Sequence, residues 1–325
     1  MRVQLEDLIS RKPFSKRTYN YPAMCGMSYC GLARGVSRWA KRAGAGLMAA
    51  LLGAAPGHAQ DSGRLLATSG VSQLEGAAGG GLVPWALITG YGTRDSFGAS
   101  AHYTLAYLPS FTLHSTGVSV GLHDWVELSY AHQWFDTRDA GRKLGLGGGY
   151  QFHLDVVGAK VRLFGNAVYD QDTWLPQVSA GVQLKTADRH GVLRAIGARG
   201  SSGVDAYLSA TKLFLAQSLL VNATVRATQA NQFGLLGFGG DRRAGYSAEF
   251  EGSAALLLGR GFAVGAEVRT KPDNLRFARE GTAYDVFAAY FLNKNLSATL
   301  AFVALGPVAR QGSQDGVYLS LQGGF

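Results

Sequence analysis

Gly316-Val317-Tyr318-Leu319-Ser320-Leu321-Gln322-Gly323-Gly324-Phe325 is the stretch on which the fold turns. Successive side chains of a strand point to opposite faces. Val317, Leu319, Leu321 and Phe325 therefore share one face with Gly323, while Tyr318, Ser320, Gln322 and Gly324 share the other. One face is apolar and the other small or polar, and the period is two.

A last strand of this length, ending in an aromatic residue, resembles the closing strand of bacterial outer-membrane barrels. The resemblance implies that Leu319, Leu321 and Phe325 form an assembly signal read by the barrel-assembly machinery. It also implies a chain that resides in the bacterial outer membrane in contact with its lipid.

Working backward, the same alternation recurs. Asn295 to Leu305, Ala283 to Leu292, Gly261 to Thr270, Tyr246 to Leu258 and Leu219 to Gln229 each oppose an apolar face to a polar one. Val204 to Phe214 and Leu175 to Thr186 follow the pattern, and Gln151 to Phe164 shifts phase near Val156 and Val157, which predicts a bulge. Trp125 to Phe135, Phe111 to Gly121 and Phe97 to Leu108 read as further strands, and Leu82 to Tyr91 is a thirteenth candidate. Strands of about ten residues with period-two alternation are the signature of a membrane barrel. The expected fold is all-β, a transmembrane antiparallel up-and-down β-barrel of 12 strands, or of 14 if a strand near Arg64 to Gln73 joins the candidate at 82–91. Connections at 136–150, 187–203, 230–245, 271–282 and 306–315 read as long, and those at 122–124, 258–261 and 292–295 as tight turns. Only 166–174 breaks the alternation of short and long that periplasmic turns and external loops produce.

At the other end, Arg34, Arg38, Lys41 and Arg42 precede the apolar run Ala43 to Ala55, and Gly57-His58-Ala59 offers small residues for cleavage. That is the pattern of a secretory signal, too short in its apolar part to span a bilayer. Residues 1–59 thus read as a leader, with Met24 or Met27 as alternative starts, 60–81 as a periplasmic or plugging N-terminal arm, and 82–325 as the barrel. Of the 31 Lys plus Arg and 22 Asp plus Glu, nine basic and two acidic residues precede Gln60, which leaves 22 against 20. The basic excess belongs to the leader, so nothing supports nucleic-acid binding. Cys25 and Cys30 also lie there, which removes disulfides, thiol nucleophiles and thiolate metal sites from the rest.

Four words of the sequence resemble a proteobacterial family of unknown function, described only as exported or outer-membrane proteins. They are Gly63-Arg64-Leu65-Leu66-Ala67-Thr68, the run from Leu74 through Glu75-Gly76-Ala77-Ala78-Gly79-Gly80-Gly81 to Ala86, the run from Asn231 through Phe233 and Phe238 to Asp241, and Tyr318-Leu319-Ser320-Leu321. The resemblance spans nearly all of 62–325. It implies localisation and a barrel, and it supplies no ligand or reaction.

With apolar faces turned to lipid, the lumen receives Lys160, Arg162, Lys185 and Arg226 from consecutive strands, then Glu249, Glu251, Glu267 and Asp285, with Arg269 among the acids. These are the expected pore-lining residues: a basic wall facing an acidic one would orient small polar solutes in a water-filled lumen, whereas the same charges paired across a narrow barrel would close it. In the loop Asn231 to Gly245, Phe233, Leu235, Leu236 and Phe238 are candidates for a constriction folded into the lumen. Gly76 to Gly81 lacks the Lys-Ser/Thr of a nucleotide site and reads as a flexible connection. His102 and Ser100 share a polar face with Asp205 or Glu127 in reach, the nearest approach to a hydrolytic set. The histidines lack metal-ligand spacing. No catalytic residue, cofactor or metal is expected. The function read from the residues is a passive pore or uptake channel for small solutes, the alternatives being a closed barrel with a structural or binding role and a transporter of apolar compounds gated by the 231–245 loop.

Overall fold

The computed structural model describes residues 70–325 apart from Arg260. The expected leader with its cysteines, and the part of the expected arm before Gly70, lie outside the described residues. Two short strands come first, β1 (Val71–Ser72) and β2 (Ala78–Gly79), paired with each other, and Gly79 also bridges Pro84. Twelve strands then form a closed antiparallel up-and-down barrel. They are β3 (Phe97–Tyr107), β4 (Thr112–Leu122), β5 (Val126–Asp136), β6 (Gln151–Phe164), β7 (Gln177–Ala187), β8 (Ser202–Phe214), β9 (Leu219–Thr228), β10 (Ser247–Leu257), β11 (Phe262–Arg269), β12 (Ala283–Phe291), β13 (Leu296–Val308) and β14 (Gln311–Gly324).

The last strand closes the ring on the first, with Leu319 opposite Leu105 and Leu321 opposite Tyr103. Phe325 continues that pairing, its carbonyl accepting the amides of Ala99 at 2.8 Å and Tyr91 at 3.3 Å. Leu319, Leu321 and Phe325 all face outward and are exposed. Around most of the wall the outward positions are apolar, with Phe250 and Val286 each 63% exposed, and the polar partners of those alternations point inward.

Three expectations are corrected. The wall begins at Phe97, and Leu82 to Tyr91 takes no part in it, so the barrel is shorter than 82–325; its strands number the 12 expected, without the alternative of 14. Strand β6 has no bulge at Val156–Val157, since its pairing with β5 is continuous from Gln151 to Val161. What changes there is polarity: Phe152, Leu154 and Val156 point inward, and His153 and Asp155 outward. Asp155 is held by the Tyr130 hydroxyl and His132 Nδ1, both at 2.8 Å. The expected long loop at 306–315 is the two-residue turn Ala309–Arg310, both residues at positive φ. Strands β13 and β14 run on past Gly306 and Pro307, absorbing them in an irregular register between Ala304 and Val308.

Apart from the short link 108–111, which lies at the loop end, the remaining connections alternate in length. At one end lie the tight turn at His123–Asp124, also in the left-handed region, and the links 215–218, 258–261 and 292–295. At the other lie 137–150 with helix α1 (Ala140–Lys143), 188–201 with α2 (His190–Ala195), 229–246 and 270–282. The longer link 165–176 sits at the tight-turn end.

Candidate functional site: the occupied lumen

The barrel interior holds the chain's own N-terminal segment. Every residue from Gly70 to Tyr91 is buried. This segment is mostly irregular, so its amides and carbonyls need partners away from water. Inward wall side chains supply them. Glu127 accepts the amides of Ala78 at 3.1 Å and Thr89 at 2.9 Å, and Glu267 accepts that of Leu82 at 2.6 Å. Gln177 and Ser179 donate to the Ala86 carbonyl, both at 2.6 Å, and Ser209 and Thr224 to that of Pro84.

The glycines of this segment are places of close approach. A Cβ on Gly80 would stand 1.9 Å from Glu267 Oε1, and one on Gly81 1.9 Å from the Tyr318 hydroxyl. Gly76 to Gly81 is therefore packed against the wall, which corrects its reading as a flexible connection: the missing Cβ here serves proximity rather than freedom.

At the centre is Glu75, fully buried. Its carboxylate meets Lys185 Nζ at 2.6 Å, Arg269 at 3.1 Å and Arg226 at 3.9 Å. Lys185 also pairs with Asp205 at 2.7 Å. Arg226 pairs with Glu251 at 2.5 Å and Asp205 at 3.4 Å. Arg269 reaches Glu251 at 3.2 Å, and Lys160 pairs with Glu127 at 3.1 Å. Arg162 lies toward the tight-turn end, paired with Asp124. Glu249 is half-buried and accepts a bond from Thr270 Oγ1 at 2.5 Å, outside the central network. Glu267 and Asp285 are register partners with no cation against them among the described ion pairs. All nine charges expected to line a pore thus point inward, and most are bonded to the segment or to each other.

Above this charged zone the interior turns apolar. A cavity of about 50 Å³, counted as room for the centre of a water-sized sphere, exceeds the ~10–15 Å³ that one water needs on that measure. Leu74 and Leu82 of the segment form its floor. Ala106, Leu108, Leu113, Phe135, Val303, Leu305 and Val308 form its walls, and Phe233, Leu235 and Leu236 its roof. The loop after β9 therefore folds into the lumen. Phe238 does a different job from its neighbours: it packs over Gly203, where a Cβ would meet its ring at 2.3 Å, and its backbone bridges Gly200 and Ala230.

The loop tip is constrained. Gln232 and Phe233 both have positive φ, 44° and 62°, a strained conformation for residues with side chains. The Gln232 amide donates to Glu280 at 2.9 Å, Lys271 Nζ donates to Gln232 Oε1 at 3.1 Å, and Lys271 lies 3.5 Å from Glu280. Arg269 sits 4.3 Å over the Phe233 ring. His102 is buried on β3 with Ser115 Oγ 3.5 Å from its Nε2, and Ser100 bonds to Thr89 and Ser119. Asp205 and Glu127, the acids expected near them, are engaged with Lys185 and Lys160 instead.

A family profile described as "Protein of unknown function (DUF3034)" matches residues 68–322. The chain belongs to that family. No curated protein matches it. Solved barrels resemble it at low identity. The KdgM porin is 13% identical over 70% of this chain and 99% of its own, with a TM-score of 0.46. The NanC porin is 10% identical over 69% and 98%, at 0.44. An outer-membrane channel from Pseudomonas putida F1 is 12% identical over 75% and 97%, at 0.43.

In this DUF3034 chain, sequence reasoning located the inward charges without their main partner. Glu75 stands in the stretch 60–81 read as a periplasmic or plugging arm, where no strand alternation matches its side chain to the charges of the wall. The readable hint was the near balance of 22 basic and 20 acidic residues after Ala59.

Proposed function

We propose that this barrel lies in a bacterial outer membrane and acts as an uptake channel for small apolar molecules, closed at rest by residues 70–91. The outward apolar band around all twelve strands supports the membrane setting. The apolar cavity between the segment and the 231–240 loop carries the choice of solute. A water-filled pore for polar solutes has no use for a dry compartment roofed by Phe and Leu, while an apolar guest gains by leaving water for it. The guest enters from the loop end, waits in the cavity, and passes on when the segment shifts.

Fluorine NMR of fluorobenzene with the barrel in nanodiscs tests this reading. Wild type is expected to give a bound resonance that empty nanodiscs lack, and Leu236→Trp, which fills the cavity, to abolish it. Equal spectra for the two proteins would overturn the proposal. A second reading, conduction of ions and small polar solutes, draws on the many inward charges. It requires the segment to leave, and unitary steps from the resting wild-type protein in planar bilayers would favour it.

A further inference from the structure

We propose that the guest of the cavity carries a protonated amine on its apolar body, and that Asp285 receives the ammonium with help from Tyr318. The inference rests on the cavity being a binding compartment and adds the chemical class of what binds.

Ser253, Glu267, Asp285 and Val303 form one row of cross-strand neighbours from β10 to β13, all pointing inward. Val303 lines the cavity, so Asp285 stands one strand from its wall. Each cation of the charged zone, Lys160, Lys185, Arg226 and Arg269, already has a carboxylate. Glu267 is satisfied by neutral donors, the Ser253 hydroxyl at 2.7 Å and the Leu82 amide. Asp285 is 2% exposed, and neither of its oxygens has a hydrogen-bond partner.

Tyr318 makes an independent second case. It lines the cavity, is 5% exposed, and its hydroxyl has no partner either. Asp285 is opposite Val303 and Val303 opposite Gly316, two residues before Tyr318 on the inward face of β14. An ammonium has three donors and no acceptor. The Tyr318 hydroxyl oxygen, which belongs to the cavity lining, and the two Asp285 oxygens, one strand beyond Val303 of that lining, offer three acceptors. Asp285 and Glu267 are two buried carboxyls side by side with no cation against them among the described ion pairs, an arrangement that is costly when both are ionised, and an ammonium delivered to Asp285 relieves that cost. A neutral alcohol would satisfy one acceptor and bring no cation to the pair, which is why the amine is favoured. A bare inorganic cation would gain nothing from the apolar walls.

Binding of toluene, benzyl alcohol and benzylamine to the barrel in nanodiscs, corrected against empty nanodiscs, tests the assignment. Benzylamine is expected to bind roughly tenfold tighter than toluene, as one hydrogen-bonded charge supplies. Asp285→Asn should erase that preference, and Tyr318→Phe should weaken benzylamine by about threefold. Benzylamine binding no tighter than toluene in wild type, or an amine preference that survives in Asp285→Asn, would overturn the inference. Absence of toluene binding in wild type would instead remove the apolar-compartment reading, so the two failures are distinct. Unchanged heat-modifiable mobility of both variants on gels establishes that they fold.

Discussion

Between Gly70 and Tyr91 the lumen is filled by irregular backbone bonded to charged and hydroxyl side chains of the wall, whereas between Asn231 and Gly240 it is covered by Phe and Leu packed on an apolar stretch of the same wall. Strand β6 passes through both regimes. Toward the tight-turn end it turns Lys160 and Arg162 inward and Val157 and Val161 outward; toward the loop end it turns Leu154 and Val156 inward and His153 and Asp155 outward. One strand thus carries two interiors, and each selects a different closure. The charged closure depends on Glu75 neutralising several cations at once. The apolar closure depends on burial of a few side chains on a strained tip. Such closures should fail separately.

Glu75→Ala is the strongest way to break the charged one. It leaves Lys185, Arg226 and Arg269 short of an anion in a buried site, a loss on the order of 3–5 kcal/mol. The segment is expected to leave the lumen, giving unitary conductance steps in planar bilayers and new protease cleavage within 70–91. Silent bilayers with an intact segment would show that the hydrogen bonds from Glu127, Gln177 and Ser179 suffice without the ion pairs. Phe233→Ala attacks the apolar closure and should cost about 3–5 kcal/mol at most, since the loop can partly collapse into the space. Hydrogen exchange across 231–240 should accelerate while the 70–91 amides stay protected and no conductance appears. If both segments loosen together, the two closures are one cooperative unit.

The outward half of this architecture was legible because the alternation of apolar and polar residues along a strand is a local, period-two signal. From Leu219 to Phe325 every inward and outward assignment read from the residues matches the strands. The inward half was legible only where it is polar. Ala106, Leu113, Phe135 and Leu154 point inward near the loop end, and apolar residues on the lumenal face make a strand look out of phase. That is how a polarity change in β6 resembled a bulge. Gly306 and Pro307 resembled a loop because each is a turn residue, while the strands that continue past them are fixed by pairing with partners far along the chain. Leu82 to Tyr91 resembled a strand because a buried irregular segment also needs apolar residues, and its true partners are side chains that no local pattern reveals. The roof was foreshadowed by Phe233, Leu235 and Leu236, whose apolar character is unusual for an exposed loop.

Gly81→Ala probes the charged region more gently. The added Cβ would fall 1.9 Å from the Tyr318 hydroxyl, forcing the ring or the segment to shift at a cost of about 1–3 kcal/mol. A lowered thermal midpoint with conductance still absent is the expected result. Gly191→Ala, with open space at its Cβ, should leave the midpoint unchanged.

The smallest effect belongs to the latch on the roof. Burial pushes the Glu280 carboxyl up to about 7, opposed by Lys271 and the Gln232 amide and assisted by Asp273. With the loop open the carboxyl regains its ordinary value near 4.5. A group raised in the closed state favours closure fully below the open-state value and loses that contribution as pH rises through the closed-state value. Burial also pushes the Lys271 ammonium down, and its own contribution runs in the opposite sense, fading as pH falls. Protection of the 231–240 amides, corrected for intrinsic exchange, should therefore decline from about pH 4.5 to about pH 7 in a manner set by Glu280. In Glu280→Gln that decline should vanish while protection of 70–91 keeps its wild-type profile. A decline that persists in Glu280→Gln would assign the pH response to Lys271 or to the wall, and would tie the apolar closure to the charged one after all.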